Sequence, residues 1–363
     1  MQKEVRNDAV SMAKGVAIIL MVMGHAQCPL WLWSYIYMFH MPLFFFFSGY
    51  CFKTSYLDDP RSFAKKRFIG IYWPYVKWNL VFLLLHNIFF FLNIYNDEFG
   101  FRGEVSHLYD AEEYVSRFLS IITQMKGEEQ LLGGYWFLHS LFFASFIFYL
   151  ILLLCIKMKV STLLGALLMP LTMVILYTGK SLPYFGVGAK ETLASFFMLT
   201  GFWYKRSGFH FENYKPWLMI PICALFVAVG TEFWQCDMFS ITQITILPYM
   251  LTALVGILMV FQFCRISLLW HRLRKSFMFV GNNTLLILTW HFLSFKIVSL
   301  LIIWIYSLPI RRLAEFPVID EYACQGWWCG YMIIGISLPI LFLFSIYNIR
   351  EKWNYDMLLK RVK

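Results

Sequence analysis

Long apolar runs recur along the whole 363-residue chain and are separated by short polar segments. Runs of this length are typical of α-helices that cross the hydrocarbon core of a bilayer, which is about 30 Å thick. We therefore predict an all-α, polytopic membrane helical bundle that forms a single domain over 1–363, with a short cytosolic tail at about 350–363. The ten predicted spans are 11–30, 33–52, 71–94, 135–156, 160–178, 189–204, 216–232, 243–264, 279–306 and 329–349.

The distribution of Lys and Arg favours an even number of spans with both termini in the cytosol. In that layout 22 of the 31 basic residues fall in inner segments and seven in outer ones, while Lys77 and Lys296 lie within spans. This asymmetry satisfies the positive-inside rule. A net charge of +10 is then explained by topology and by attraction to anionic lipid. We expect contact with membrane lipids and no nucleic-acid partner.

The longest outer segment, about 95–134, is acidic, and residues 111–126 within it have an amphipathic helical rhythm. This stretch has two interpretations: a helix that lies at the membrane interface, or a lid over an outward-facing site. Five of the eight cysteines lie within spans, where they act as small apolar residues. The other three lie on the outer side, where an oxidising compartment would permit a disulfide. No spacing indicates a metal site, and we expect no metal.

Three histidines fall at similar depth in three different predicted spans. His25 lies about three helical turns beyond Lys14, His40 enters the membrane from the outer side, and His291 lies at a similar depth in the ninth span. A single membrane histidine is commonly a packing partner, but several at matching depth favour a functional site, because unsatisfied polar groups are costly in lipid. A neutral imidazole can take a proton from a hydroxyl and return it to a leaving thiolate. This chemistry suits acyl transfer from a thioester to an alcohol.

A second candidate feature is a short basic cluster that precedes the third span. It is denser than topology requires, and Arg and Lys bind phosphate oxygens through charge-assisted hydrogen bonds. The cluster therefore indicates a site for a phosphorylated cofactor as well as a topological signal. Its members are Arg61, Lys65, Lys66 and Arg67, upstream of Pro74.

With these residues in place, the chain resembles the acyltransferase-3 family of integral membrane acyltransferases, and within it the fucose 4-O-acetylase-like branch. Four blocks in the same order along the chain carry the resemblance. They are Lys14 followed by ten residues and then His25; the stretch from Tyr37 to Tyr50, which contains His40, Pro42, Ser48 and Gly49; the loop from Phe63 to Phe68 with Pro74 and Tyr75; and Gly281-Asn282-Asn283-Thr284-Leu285 with His291, plus the weaker Tyr135-Trp136-Phe137-Leu138.

The resemblance implies an O-acetyltransferase of the bacterial inner membrane, with cytosolic acetyl-CoA as the acyl donor. The acceptor would be a hydroxyl of a polysaccharide, a lipopolysaccharide or a lipid-linked precursor. His25 matches the family's catalytic histidine, and Lys66 and Arg67 match its loop for the CoA phosphates. Many members carry a second arginine three residues after the first, where this chain has Gly70. We therefore expect Arg61, Lys65 and Lys66 to share the contacts to CoA with Arg67 and Lys14.

The expected mechanism places His25 as the general base. His40 or His291 would orient it or polarise the thioester carbonyl. Ser48, Trp136 and Asn283 are candidate substrate contacts, although helix capping is an alternative role for Asn283. Two other classes stay open: a transporter or flippase for a polysaccharide or lipid-linked glycan, and a structural member of an envelope-synthesis complex.

Overall fold

The computed structural model describes residues 8–99, 106–169, 184–209, 211 and 214–361. Within these ranges the chain forms α-helices joined by loops, 3₁₀ turns and π-helical turns, with no β-strand. The predicted all-α class is thus confirmed. The helices are α1 Asp8–His25, α2 Leu30–Tyr37, α3 His40–Tyr50, α4 Ser55–Asp58, α5 Pro60–Arg67, α6 Trp73–Phe91, α7 Ala111–Gln124, α8 Trp136–Lys157, α9 Ala189–Arg206, α10 Pro216–Trp234, α11 Ile246–Ser267, α12 His271–Asn282, α13 Thr284–Ile305, α14 Asp320–Tyr322 and α15 Trp328–Arg361.

Eight of the ten predicted spans coincide with helical stretches that are long and apolar enough to cross a membrane. Of the fifth predicted span, 160–178, the structure describes residues 160–169, of which 162–169 are helical, and the rest of the span lies outside the described residues. The sixth, 189–204, corresponds to α9, whose two ends carry Lys190, Glu191, Lys205 and Arg206. Because of these charges, α9 is less apolar than the eight stretches that could cross a membrane. The chain is therefore a multi-pass helical protein, and the count of ten spans stays a prediction.

The second predicted span is broken just before one of the candidate histidines. We expected one continuous helix over 33–52, but α2 ends at Tyr37 and α3 begins at His40. Phe39 between them has non-helical backbone angles, φ −141° and ψ −17°. Pro42 explains the break, because a proline inside a helix clashes with the carbonyl four residues earlier but is tolerated in a first turn. The new start places Pro42 in the first turn of α3.

Helix α1 crosses α12 at a point where both backbones carry glycine. A Cβ atom on Gly15 would stand 2.2 Å from the carbonyl oxygen of Phe277, and one on Gly281 would stand 1.8 Å from that of Ser11. No side chain fits at such distances, so the two glycines allow the helices to touch backbone to backbone. This contact fixes the position of α1.

Helix α3 is held against α9 in the same way. A Cβ atom on Gly49 would stand 1.8 Å from the carbonyl oxygen of Met198, and one on Gly201 would stand 2.0 Å from that of Phe46. Close packing between small residues stabilises helix pairs in membranes, where burial of apolar area offers no advantage over lipid. The two helices that carry His25 and His40 are therefore each clamped by a neighbour.

Candidate active site

One face of α1 lines a cavity inside the bundle. Lys14, Ile18, Met21 and His25 are spaced by four, three and four residues, which places them on one side of a helix. All four line a cavity of about 580 Å³, here called the first cavity. At 1.5 Å per residue, Lys14 and His25 stand roughly 16 Å apart along the helix axis. The first cavity thus extends from a basic end to a histidine.

Helix α3 lines the same cavity and runs antiparallel to α1. His40, Ser48 and Cys51 all face it, and His40 lies near His25 whereas Cys51 lies near Lys14. Antiparallel packing therefore brings two histidines from adjacent spans to the same depth. The matching depth expected from the sequence arises from this geometry.

A second cavity of about 560 Å³ meets the first at His25. Three residues line both spaces, namely His25, Trp136 and Phe239. The second cavity is built mainly from loops and helix ends, with Phe292 from the middle of α13. Its other lining residues are Tyr75, Gln124, Met125, Lys126, Gly127, Glu129, Gln130, Leu132, Gly133, Tyr135, His139, Tyr184, Phe185, Gly186, Phe292, Phe316 and Pro317.

His25 and His291 form a hydrogen bond at this junction, with 2.9 Å between Nδ1 of His25 and Nε2 of His291. The Nδ1 atom of His291 faces the carbonyl oxygens of Ile287 and Leu288, each at 3.0 Å. A carbonyl only accepts, so His291 carries its proton on Nδ1 and its neutral ring offers a lone pair at Nε2. His25 must then donate from Nδ1. This leaves Nε2 of a neutral His25 without a proton.

The pair is held in place by aromatic packing. The ring of Phe292 stacks on His25, with centroids 4.8 Å apart and planes 13° apart, and it also contacts His291 at 4.0 Å. Gly134 borders the pair, since a Cβ atom there would stand at the ordinary contact distances of 3.9 Å from Cε1 of His25 and 3.8 Å from Cε1 of His291. A base with a fixed tautomer and a fixed orientation is suited to proton transfer.

His40 is buried and has its own fixed tautomer. Its Nδ1 atom lies 2.9 Å from the carbonyl oxygen of Ile36, so that nitrogen donates and Nε2 of the neutral ring is an acceptor. The break before α3 leaves this carbonyl at the end of α2. The ring of Tyr37 contacts His40 edge-on at 4.7 Å.

The basic end of the first cavity contains Lys14, Lys66 and Arg67. The guanidinium of Arg67 lies over the ring of Phe63 at 5.2 Å. Its Nε atom is buried without a hydrogen-bond partner in the described part of the chain. A buried donor with no acceptor is costly, and an anion in the cavity would supply the missing acceptor.

The remaining predicted site residues divide into two groups. Ser48 and Trp136 line the first cavity. Arg61 and Lys65 are exposed on the other side of α5 and are not among its lining residues. Asn283 directly precedes α13 but makes no capping bond, because its side chain donates to the carbonyl of Phe279. Within the described ranges, no group of His, Cys, Asp or Glu is arranged to hold a metal ion, and all eight cysteines are free thiols.

Sequence reasoning missed a loop at the junction of the cavities. Asp237 lines the first cavity, and its side chain accepts from the backbone N–H groups of Phe239 and Ser240. This Asx turn presents Phe239 to both cavities, where its ring packs on Trp136 with centroids 4.5 Å apart. The spacing of Asp237 and Ser240 is typical of a turn, but no sequence signal connects that turn to a site.

The fold and the site define a multi-pass helical membrane protein in which two cavities meet at a buried pair of histidines. The family model described as an acyltransferase domain, acyltransferase family 3, matches residues 7–347, and the chain belongs to this family. Membership identifies a membrane acyltransferase, which implies an acyl donor and an acceptor. Neither the curated proteins nor the solved structures contain a match to the chain.

Proposed function

We propose that this protein is an O-acetyltransferase of the bacterial inner membrane that moves acetyl from cytosolic acetyl-CoA to a hydroxyl of a cell-envelope carbohydrate. One observation carries the proposal: His25 stands where two cavities meet, and its hydrogen bond to His291 leaves Nε2 free to accept a proton. One cavity would bring the thioester to this nitrogen and the other would bring the hydroxyl.

The first cavity suits the acyl donor. CoA combines phosphate groups with a long, thin arm that ends in the thioester. The basic end of the cavity offers Lys14, Lys66 and the unpartnered Nε of Arg67, which are groups that bind phosphate. The roughly three helical turns from Lys14 to His25 give the arm a passage lined mainly by apolar side chains. Arg61 and Lys65, on the outer side of α5, would add long-range attraction for the phosphates.

The chemistry requires one proton to leave a hydroxyl and to reach a sulfur. His25 takes the hydroxyl proton at Nε2 while the oxygen attacks the thioester carbonyl. The carbon–sulfur bond then breaks, and His25 returns the same proton to the sulfur, so the products are an ester and free CoA. His291 keeps the ring oriented and accepts from its Nδ1–H throughout, which stabilises the imidazolium.

His40 and the other lining residues would position the substrates. Because the neutral His40 ring offers an acceptor to the cavity, we assign it a hydrogen bond from a substrate hydroxyl or amide rather than polarisation of the carbonyl. Ser48 would contact the donor, and Trp136 would pack against the acceptor at the junction. Asn283 would take part only through the position of the α12–α13 corner, since its side chain is bonded to Phe279.

The test is acetyl transfer by the purified protein in nanodiscs. Radiolabelled acetyl-CoA is supplied with and without a crude envelope glycan extract, and label in glycan and free CoA are both measured. His25→Ala should lower turnover by about a thousandfold, which is the usual contribution of general acid–base catalysis. The matched control is His271→Ala, because His271 is exposed at the start of α12 and its loss should leave turnover unchanged.

Two results would reject the proposal. One is activity in His25→Ala equal to that of wild type. The other is a wild-type protein that neither binds acetyl-CoA nor releases CoA. The second result, together with glycan transport into vesicles without acetyl-CoA, would favour a transporter.

A further inference from the structure

Another buried histidine, His86, lies next to a residue that lines the second cavity, Glu129. His86, on α6, is fully buried, and its Nδ1 atom lies 3.2 and 3.3 Å from the two carboxylate oxygens of Glu129. Its Nε2 atom lies 3.0 Å from the carbonyl oxygen of His107. The ring of Tyr109 stacks on it, with centroids 3.3 Å apart. His86 is therefore held on three sides and cannot reorient.

The hydrogen bonds fix the protons of this pair. The carbonyl of His107 only accepts, so Nε2 of His86 is protonated. The hydrogen bond between Nδ1 and the carboxylate of Glu129 requires one further proton between these two groups. Burial, followed by the charge of Glu129, raises the pKa of Tyr109 above its ordinary value, so this phenol stays protonated. Arg117 lies over the outer face of Tyr109 and pairs with Glu113 and Glu128.

Glu129 also lines the second cavity, together with His25. Several other polar groups in that lining are already engaged. The hydroxyl of Tyr75 accepts from the N–H of Gly127, and that of Tyr135 bonds to Thr289 at 2.6 Å. His139 lies 2.8 Å from the carbonyl oxygen of Phe185. A carboxylate has about four acceptor positions. The N–H of His86 and the buried hydroxyl of Tyr95 lie beside it, which leaves part of its accepting capacity for a ligand.

We propose that Glu129, held by His86, binds a hydroxyl next to the reacting hydroxyl of the acceptor and thereby selects an uncharged sugar. This inference rests on the proposed function. Neighbouring hydroxyls are the donors that a fixed carboxylate requires, and the aromatic walls of the second cavity suit the apolar face of a sugar ring. An acidic sugar would place its own carboxylate against Glu129, where two acceptors repel each other.

The test uses membrane-anchored sugars as probes, in nanodiscs with radiolabelled acetyl-CoA. Octyl glucoside and octyl galactoside are the neutral acceptors, and octyl glucuronide is the acidic one. Wild type should acetylate a neutral probe and use the glucuronide at least about tenfold less efficiently. Glu129→Gln should raise KM for the neutral probe by about tenfold or more, since a hydrogen bond to a charged group is lost.

The matched control is Glu128→Gln, because Glu128 pairs with Arg117 and Lys126 rather than lining the cavity. It should leave KM for the neutral probe unchanged. Glu129→Asp keeps the carboxylate but moves it away from the cavity, because the side chain is one methylene shorter. This variant should raise KM by less than Glu129→Gln does. If Glu129→Gln does not fold, the KM of Glu129→Asp for the neutral probe tests the inference instead.

Several outcomes would overturn the inference. They are an unchanged acceptor KM in both Glu129 variants, equal use of glucuronide and neutral probes by wild type, and a wild type that hydrolyses acetyl-CoA without acetylating either neutral probe. A wild type that does not turn over acetyl-CoA at all would instead reject the proposed function.

Discussion

Two histidine pairs in the described part of the bundle have different kinds of partner. In the first pair His25, which lines both cavities, donates to another imidazole, His291, and its Nε2 atom carries no proton while the ring is neutral. In the second pair His86 is bonded to a carboxylate on one side and to a carbonyl on the other, so neither ring nitrogen is free. An imidazole with one nitrogen outside any hydrogen bond can act as a base, whereas an imidazole with both nitrogens in hydrogen bonds holds its partner in position. The same residue type therefore serves chemistry in one place and position in the other.

The largest expected effect comes from breaking the supporting pair. His86→Leu leaves the carboxylate of Glu129 buried without its partner, and removal of one member of a buried ion pair costs about 3–5 kcal/mol. The free energy of unfolding, measured by denaturation of the protein in detergent, should fall by that amount. The rate of acetyl-CoA hydrolysis without an acceptor, measured per folded protein, should stay as in wild type. Wild-type stability in this variant would show that the pair is not structural.

Breaking the reactive pair should reduce the rate instead. His291→Leu removes the acceptor for Nδ1 of His25 and frees the ring to adopt the wrong tautomer, so kcat should fall by about a hundredfold. His291→Gln is the matched variant, because its amide oxygen still accepts a hydrogen bond and should recover part of the loss. Steady-state kinetics with acetyl-CoA measures both. Equal kcat in wild type and His291→Leu would contradict the orienting role.

A smaller effect is expected at the basic end of the first cavity. Arg67→Ala removes a charge-assisted contact to phosphate, so KM for acetyl-CoA should rise about tenfold while kcat stays the same. Arg61→Ala is the matched variant on the same helix, exposed and outside the cavity lining, and its KM should change by less than about twofold. Equal effects of the two changes would argue for a diffuse attraction rather than a binding site.

The parts of this molecule that sequence could predict depend on local periodicity. Hydropathy located eight of the helical spans, and the predicted separation of Lys14 and His25 by about three helical turns agrees with the cavity that both line. The pairing of His86 with Glu129, 43 residues apart, has no local signal because the fold alone brings the two together. The same applies to the loop that carries Asp237 and Phe239 into the site.

The basic cluster of Arg61, Lys65, Lys66 and Arg67 differs in a way that the sequence does not predict. Arg61 and Lys65 are four residues apart and share one exposed face of α5, while Lys66 and Arg67 border the first cavity. Composition treats the four residues alike. Only the rotation of α5 about its axis separates them, and that rotation is set by the packing of Phe63 against Tyr149, with centroids 4.5 Å apart.

The most direct test of the central claim compares acetyl-CoA binding with acetyl-CoA turnover in wild type, His25→Ala and Arg67→Ala. Equilibrium binding of radiolabelled acetyl-CoA and release of CoA are measured on the same preparations. The account predicts that His25→Ala keeps the wild-type Kd and loses turnover, whereas Arg67→Ala loses affinity and recovers turnover at saturating donor. Turnover that survives in His25→Ala, or a wild type that does not bind acetyl-CoA, would contradict it.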